Sequence, residues 1–213
     1  MTDNRLGGSA LIVGAVASLV TMGLHPSPHG PVAPEQLVSL MALAGAVHVF
    51  AIASLPIAFL GALALSRYLS APDRLAATAA VTYGFAVVAI MVAAAFSGLV
   101  GPDVMRRMVT DTPPIGDLWR QLGIYTGLLN RAFAMVFVLL SSAAIFLWSI
   151  AIIRGRKLPR SVGIYGIVIA PVTVLAVGSG HVALDVHGFG AVVLLQAIWL
   201  ISAGASLRRA TTE

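Results

Sequence analysis

Of the 213 residues, 59% are hydrophobic and only 10% are charged, with a mean hydropathy of +0.96, whereas soluble globular proteins carry about 25% charged residues. An ordinary water-soluble globule is excluded. The net charge of +5 does not imply nucleic-acid binding, because its distribution along the chain has a topological explanation, and the absence of cysteine excludes disulfides, thiolate metal sites and cysteine nucleophiles.

In chain order, a short polar leader carries Arg5, and the first apolar run covers 8–24. A secretory signal peptide is not expected, since the small triplet Ala15-Val16-Ala17 falls inside the apolar run rather than after it. Pro26, Pro28 and Pro31 forbid further helix and leave His25 and His29 in a loop. The second run, 43–65, follows an amphipathic lead-in from Glu35 and ends at Arg67 and Tyr68; Pro56 should kink it, and His48 falls near its far boundary. The third run, 75–101, is built of Ala, Val and Gly, with Ser97 and Gly98 near its end, and reads as a closely packed interior helix.

Residues 102–131 are expected to form one sizeable external loop, interrupted by Pro102, Pro113 and Pro114, with 119–129 lying along the interface. Asn130-Arg131 opens the fourth run, 132–153. The fifth, 161–180, contains Pro171, and the sixth, 188–207, has Gln196 as its only strongly polar residue. Each run supplies roughly the 17 residues or more that a bilayer crossing needs. The expected fold is therefore all-α, a polytopic bundle of six transmembrane helices in a single domain. A faint repeat, His48-Val49-Phe50, Arg131-Ala132-Phe133 and His187-Gly188-Phe189, suggests three repeated helical hairpins.

Nine of the thirteen basic residues, from Arg5, Arg67, Arg74, Arg154, Arg156, Lys157 and Arg160 to Arg208 and Arg209, fall at the termini and the second and fourth connections. By the positive-inside rule that side is cytoplasmic, with both termini there. Twelve arginines against one lysine fit a bacterium of GC-rich genome, and hence its inner membrane.

On this topology all five histidines gather at the outer side. The densest polar group is Ser179-Gly180-His181-Val182-Ala183-Leu184-Asp185-Val186-His187-Gly188. If a helix runs through 178–185, His181 and Asp185 share one face, four residues apart. The spacing is similar to one found in a helix of cation-diffusion zinc transporters, whose partner carboxylate and cytoplasmic domain this chain lacks. Imidazole and carboxylate suit a divalent transition metal such as Zn²⁺, for which His181, Asp185, His187, His25 and His29 are the candidate ligands. The plainer reading makes them interfacial residues that hydrate turns and cap helices.

His48 and Arg131 at the membrane edge each need a partner or a snorkelling route, and Asp185 or Asp117 could pair with Arg131. Ser97 and Asp185 are the weak catalytic candidates, Ser97 as a nucleophile and Asp185 as a proton acceptor for metal-activated water. Gln196 reads as an interhelical hydrogen-bond donor. Three functions follow: an outward-facing His/Asp pocket that binds metal, with a metal-assisted enzyme as one version; a transporter or binding protein for a small molecule or lipid; and a non-catalytic accessory subunit, with a homo-oligomer open in each case.

Overall fold

The computed structural model describes residues 2–26, 34–69 and 74–210. It is all-helical, 90% helix, and six stretches are long and apolar enough to cross a bilayer; the chain is a multi-pass membrane protein. The helices are α1 (Thr2–Leu24), α2 (Pro34–Leu69), α3 (Leu75–Ala95), α4 (Gly101–Thr110), α5 (Ile115–Gly155), α6 (Arg160–Gly178) and α7 (Val186–Arg209). A π-helical turn, Phe96–Val100, joins α3 to α4 without a break, and the Gly101 amide donates to the Phe96 carbonyl five residues back.

The expected external loop at 102–131 is not a loop. Pro102 follows the π turn directly, in the first turn of α4, where the regular i−4 hydrogen-bond ladder is already interrupted, so the proline does not stop the helix. Only the turn before Ile115, which contains Pro113 and Pro114, interrupts the run. The third and fourth spans are therefore one long hairpin, of 36 and 41 residues. At 1.5 Å per residue α5 is about 62 Å long, roughly twice the hydrocarbon thickness. Its first turns, α4 and the start of α2 overhang one end of the bundle.

From α1 to α6 each spanning helix packs against the next in sequence, while α7 packs chiefly along α1 and more thinly against α6, so the six form a closed ring. The three expected hairpins are not packed alike: α1 lies along α2 and α3 along α5, but α6 touches α7 less than α7 touches α1. Of the basic-x-Phe triplets only His187-Gly188-Phe189 stands at a helix start; the other two lie well inside α2 and α5.

Small residues set the close approaches. A Cβ on Gly61 would meet the Leu11 amide nitrogen at 2.5 Å, and one on Gly8 would meet the Gly204 carbonyl at 2.4 Å. In lipid, where apolar burial gives little drive, backbone approach of this kind is how helices gain contact. Side chains such as Leu60, Phe85, Val88, Val172 and Leu175 stay exposed on the outside of the ring, an apolar exterior suited to acyl chains.

The centre is held by indoles and hydroxyls. Trp148 and Trp199, both 0% exposed, stack at 5.8 Å with 17° between planes. Trp148 Nε1 donates to Ser66 Oγ at 2.8 Å, and Trp199 Nε1 donates to Ser149 Oγ and the Val162 carbonyl, both at 3.1 Å. Gln196 Nε2 donates to Ser141 Oγ at 2.8 Å. These bonds tie α5 to α2, and α7 to α5 and α6, across a core where an unpaired donor would be costly.

Candidate functional site

Where the overhanging helices meet the ring they enclose a cavity of about 570 Å³. Its wall is largely apolar, with Leu37, Leu40, Met41, Phe96, Met105, Met108 and Ile124, and its polar groups are His25, His48, Ser97, Arg120, Thr126 and Asn130. The sequence pattern places them there. Met41 and His48 are seven residues apart on α2, and Met105 and Met108 are three apart on α4, so each pair shares a helix face.

His25, just past the end of α1, meets His48 edge to face, with ring centroids 5.0 Å apart and 73° between planes. His48 is 6% exposed. Its Nδ1 lies 2.7 Å from the Ala44 carbonyl, and Nδ1 of His25 lies 3.1 Å from the Pro26 carbonyl. A carbonyl can only accept, so each Nδ1 carries a proton, and in the neutral ring each Nε2 keeps its lone pair. Burial lowers the His25 pKa, against a smaller opposing effect of the Pro26 carbonyl, and so favours the neutral ring.

His48 is seated by the π turn. A Cβ on Gly98 would come within 2.1 Å of the His48 Cβ, so only glycine lets that imidazole lie against the π turn. π turns recur at functional positions because the extra residue re-aims the chain.

A smaller cavity, about 80 Å³, lies deeper in the ring, lined by Ser18, Thr21, Ser54, Tyr83, Phe137 and Gln196 among others. The same helices line both in succession: Ala44 and His48 then Ala51, Ser54 and Leu55 on α2, and Phe96 and Ser97 then Ala94 and Ile90 beyond the turn. Pro56 follows at this depth.

The other candidates are placed differently. α6 ends at Gly178 and Gly180 takes φ +78°, so His181 and Asp185 do not share the helical face on which their convergence depended. His181 Nδ1 instead lies 2.8 Å from Ser179 Oγ, and Asp185 caps α7, accepting from the Gly188 amide at 2.8 Å. His181, Asp185 and His187 are all exposed. His29 lies outside the described residues.

Ser97 lines the larger cavity but is hydrogen-bonded to neither imidazole there. Arg131 is exposed and does not pair with Asp117 or Asp185: among the described residues the one ion pair is Arg106 with Asp103, at 2.6 Å. No three His, Asp or Glu among the described residues come together as a metal site, and no carboxylate is among the described residues of the cavity wall.

What sequence reasoning missed is the pairing of His25 with His48 and the three methionines beside them. The signal was present in the i, i+7 and i, i+3 spacings, but a metal search confined to His, Asp and Glu passed over thioethers. Comparison with protein-family models, with characterised proteins and with solved structures gives no match to this chain.

Proposed function

We propose that this is a bacterial inner-membrane protein that binds, and on that basis transports or presents, a small lipophilic or amphipathic compound taken up from the outer side. The observation that carries the reading is the 570 Å³ cavity, with an apolar wall and a few convergent polar groups, the size and character of a small-molecule site. The apolar body of the ligand packs on Met41, Met105, Met108 and Phe96, whose flexible thioethers adapt to shape, while a polar head meets His25, His48 or Asn130. The positive-inside rule supports the orientation: Arg5, Arg67, Arg156, Lys157, Arg208 and Arg209 gather at the opposite end. The second, deeper cavity supports a path inward, and proteoliposome flux separates transport from binding.

The test is titration of detergent-purified protein with N-phenyl-1-naphthylamine, whose fluorescence rises in apolar sites. Saturable binding at one site per chain is expected. Gly127 lines the cavity and a Cβ there meets nothing within 4 Å, so Gly127→Trp should fill the space without unfolding the protein and weaken binding by roughly tenfold or more, as loss of a well-packed ligand surface implies. Unsaturable partition into the micelle, or equal affinity in Gly127→Trp at unchanged Tm, removes the reading.

A second reading rests on the paired imidazoles. Two imidazoles whose Nδ1 atoms donate to carbonyls, in a cavity also lined by three thioethers, offer Nε2 and soft sulfur ligands, and thioethers select Cu(I) over the Zn²⁺ that a His/Asp set would hold. Competition against a chromophoric Cu(I) chelator should give one copper per chain, lost in His25→Ala and in His48→Ala and kept in His181→Ala. Retention of copper in both of the first two variants sinks it.

A further inference from the structure

The opposite end of the bundle holds a second recess, and nothing in the ligand reading uses it. It is about 910 Å³ and lies where α1 begins and α2, α5 and α7 end. Arg67, Arg156, Lys157 and Arg209 line it, and Asp3 is the one carboxylate among the described residues of the lining. Among the described residues none of these cations takes part in an ion pair. Four cations around one recess, against one carboxylate among the described residues, leave an excess of positive charge that a bound anion lowers.

Two further observations point to a ligand. Asn4, also in the lining, is 8% exposed and its Nδ2 has no hydrogen-bond partner; an amide donor removed from water and left unpaired is disfavoured. Arg156 ends α5 in the left-handed region, φ +53°, a conformation that glycine takes at helix ends at little cost and arginine does not. The loop that carries it is fixed from both sides. Lys157 Nζ donates to the Tyr68 carbonyl at 2.9 Å and lies over the Tyr68 ring at 5.5 Å, while the Tyr68 hydroxyl donates to the Lys157 carbonyl at 3.3 Å. Strain held in place by its surroundings is characteristic of functional positions.

Next to this recess lies another, of about 410 Å³, lined by Arg5, Ile12, Ala205, Arg208 and Arg209. Arg209 belongs to both. Ile12 is about two turns below Arg5, so the second recess runs from the charged rim down an apolar seam between α1 and α7.

We propose that the two recesses together bind an anionic phospholipid: its phosphate in the larger one, with Arg67, Arg156 and Arg209 as guanidinium donors and Asn4 Nδ2 as a neutral donor, and an acyl chain along Ile12 and Ala205. Guanidinium forks match phosphate oxygens bidentately, and basic pockets between helix ends at headgroup depth are how membrane proteins hold acidic lipids. The neighbouring seam favours a lipid over a soluble phosphate, which has no use for it.

The experiment is native mass spectrometry of the full chain, paired with thermal unfolding in detergent, with phosphatidylglycerol, phosphatidylcholine, glycerol 3-phosphate and inorganic phosphate as probes. One phosphatidylglycerol should be retained and should raise the Tm, and phosphatidylcholine should not. Arg67→Gln with Arg209→Gln should weaken retention about tenfold or more, as loss of charge-assisted hydrogen bonds implies, whereas Arg131→Gln should leave it unchanged. Asn4→Leu, which keeps the volume and removes the orphaned donor, should leave the lipid-free Tm equal or higher and abolish the rise with phosphatidylglycerol; a merely structural asparagine would lower both. Equal retention of the two lipids, retention unchanged in the Arg67 and Arg209 variant or in Asn4→Leu, or a Tm rise with either soluble phosphate as large as with the lipid, overturns the proposal.

Discussion

Gly98→Ala is expected to abolish probe binding at the histidine-end cavity and to destabilise the protein by at least about 1–3 kcal/mol, the usual cost of overpacking a tight contact. The new methyl would stand 2.1 Å from the Cβ of His48 and 2.4 Å from its Cγ. Neither atom is the far end of a flexible chain, so the π turn and α2 must separate. That moves His48 away from His25 and shifts Phe96 and Ser97, which form the wall next to it. The decisive control is the exchange variant, Gly98→Ala with His48→Gly, which returns the missing space to the other helix. Its stability should exceed what the two single changes predict by addition, because the residues are in contact. Thermal unfolding and N-phenyl-1-naphthylamine titration measure the two effects; wild-type values for Gly98→Ala in both would show that this contact does not seat the imidazole.

The second large effect is at Trp199. Trp199→Ala should cost about 3–5 kcal/mol, since it empties a fully buried volume beside Trp148 and removes the donor to Ser149 and the Val162 carbonyl. In a bilayer the transfer contribution is small and the lost packing dominates. Trp199→Phe keeps an aromatic ring against Trp148 and forfeits only the two hydrogen bonds, so it should cost roughly 1–3 kcal/mol. Thermal or denaturant unfolding in detergent ranks the two. A Phe variant as damaged as the Ala variant would mean that the indole N–H, rather than the stack, holds α7 to α5 and α6.

Hydropathy alone made the six spans legible, because an uncharged run of sufficient length has few alternatives. The overhang was not. Pro102 and the charged residues from Asp103 to Arg120 look like loop, yet the π turn just before Pro102 and a hairpin partner supplied by α5 let the segment stay helical. The candidate site was half legible. His25 and His48 could each be placed near one membrane boundary, but their pairing depends on how α1 packs along α2, which no local pattern states. His181 and Asp185 misled for a related reason: a helical spacing has meaning only while the helix lasts, and Gly180 ends the possibility with a left-handed residue.

The closure of the ring by α7 against α1 also has a temporal side. As the chain leaves the ribosome, α1 can pack on α2 early, but Gly8 must wait in the bilayer unmatched until α7 brings Gly204 against it. The order of synthesis therefore makes α7 a keystone, and a nascent chain halted before it would present an open flank that membrane quality control can recognise.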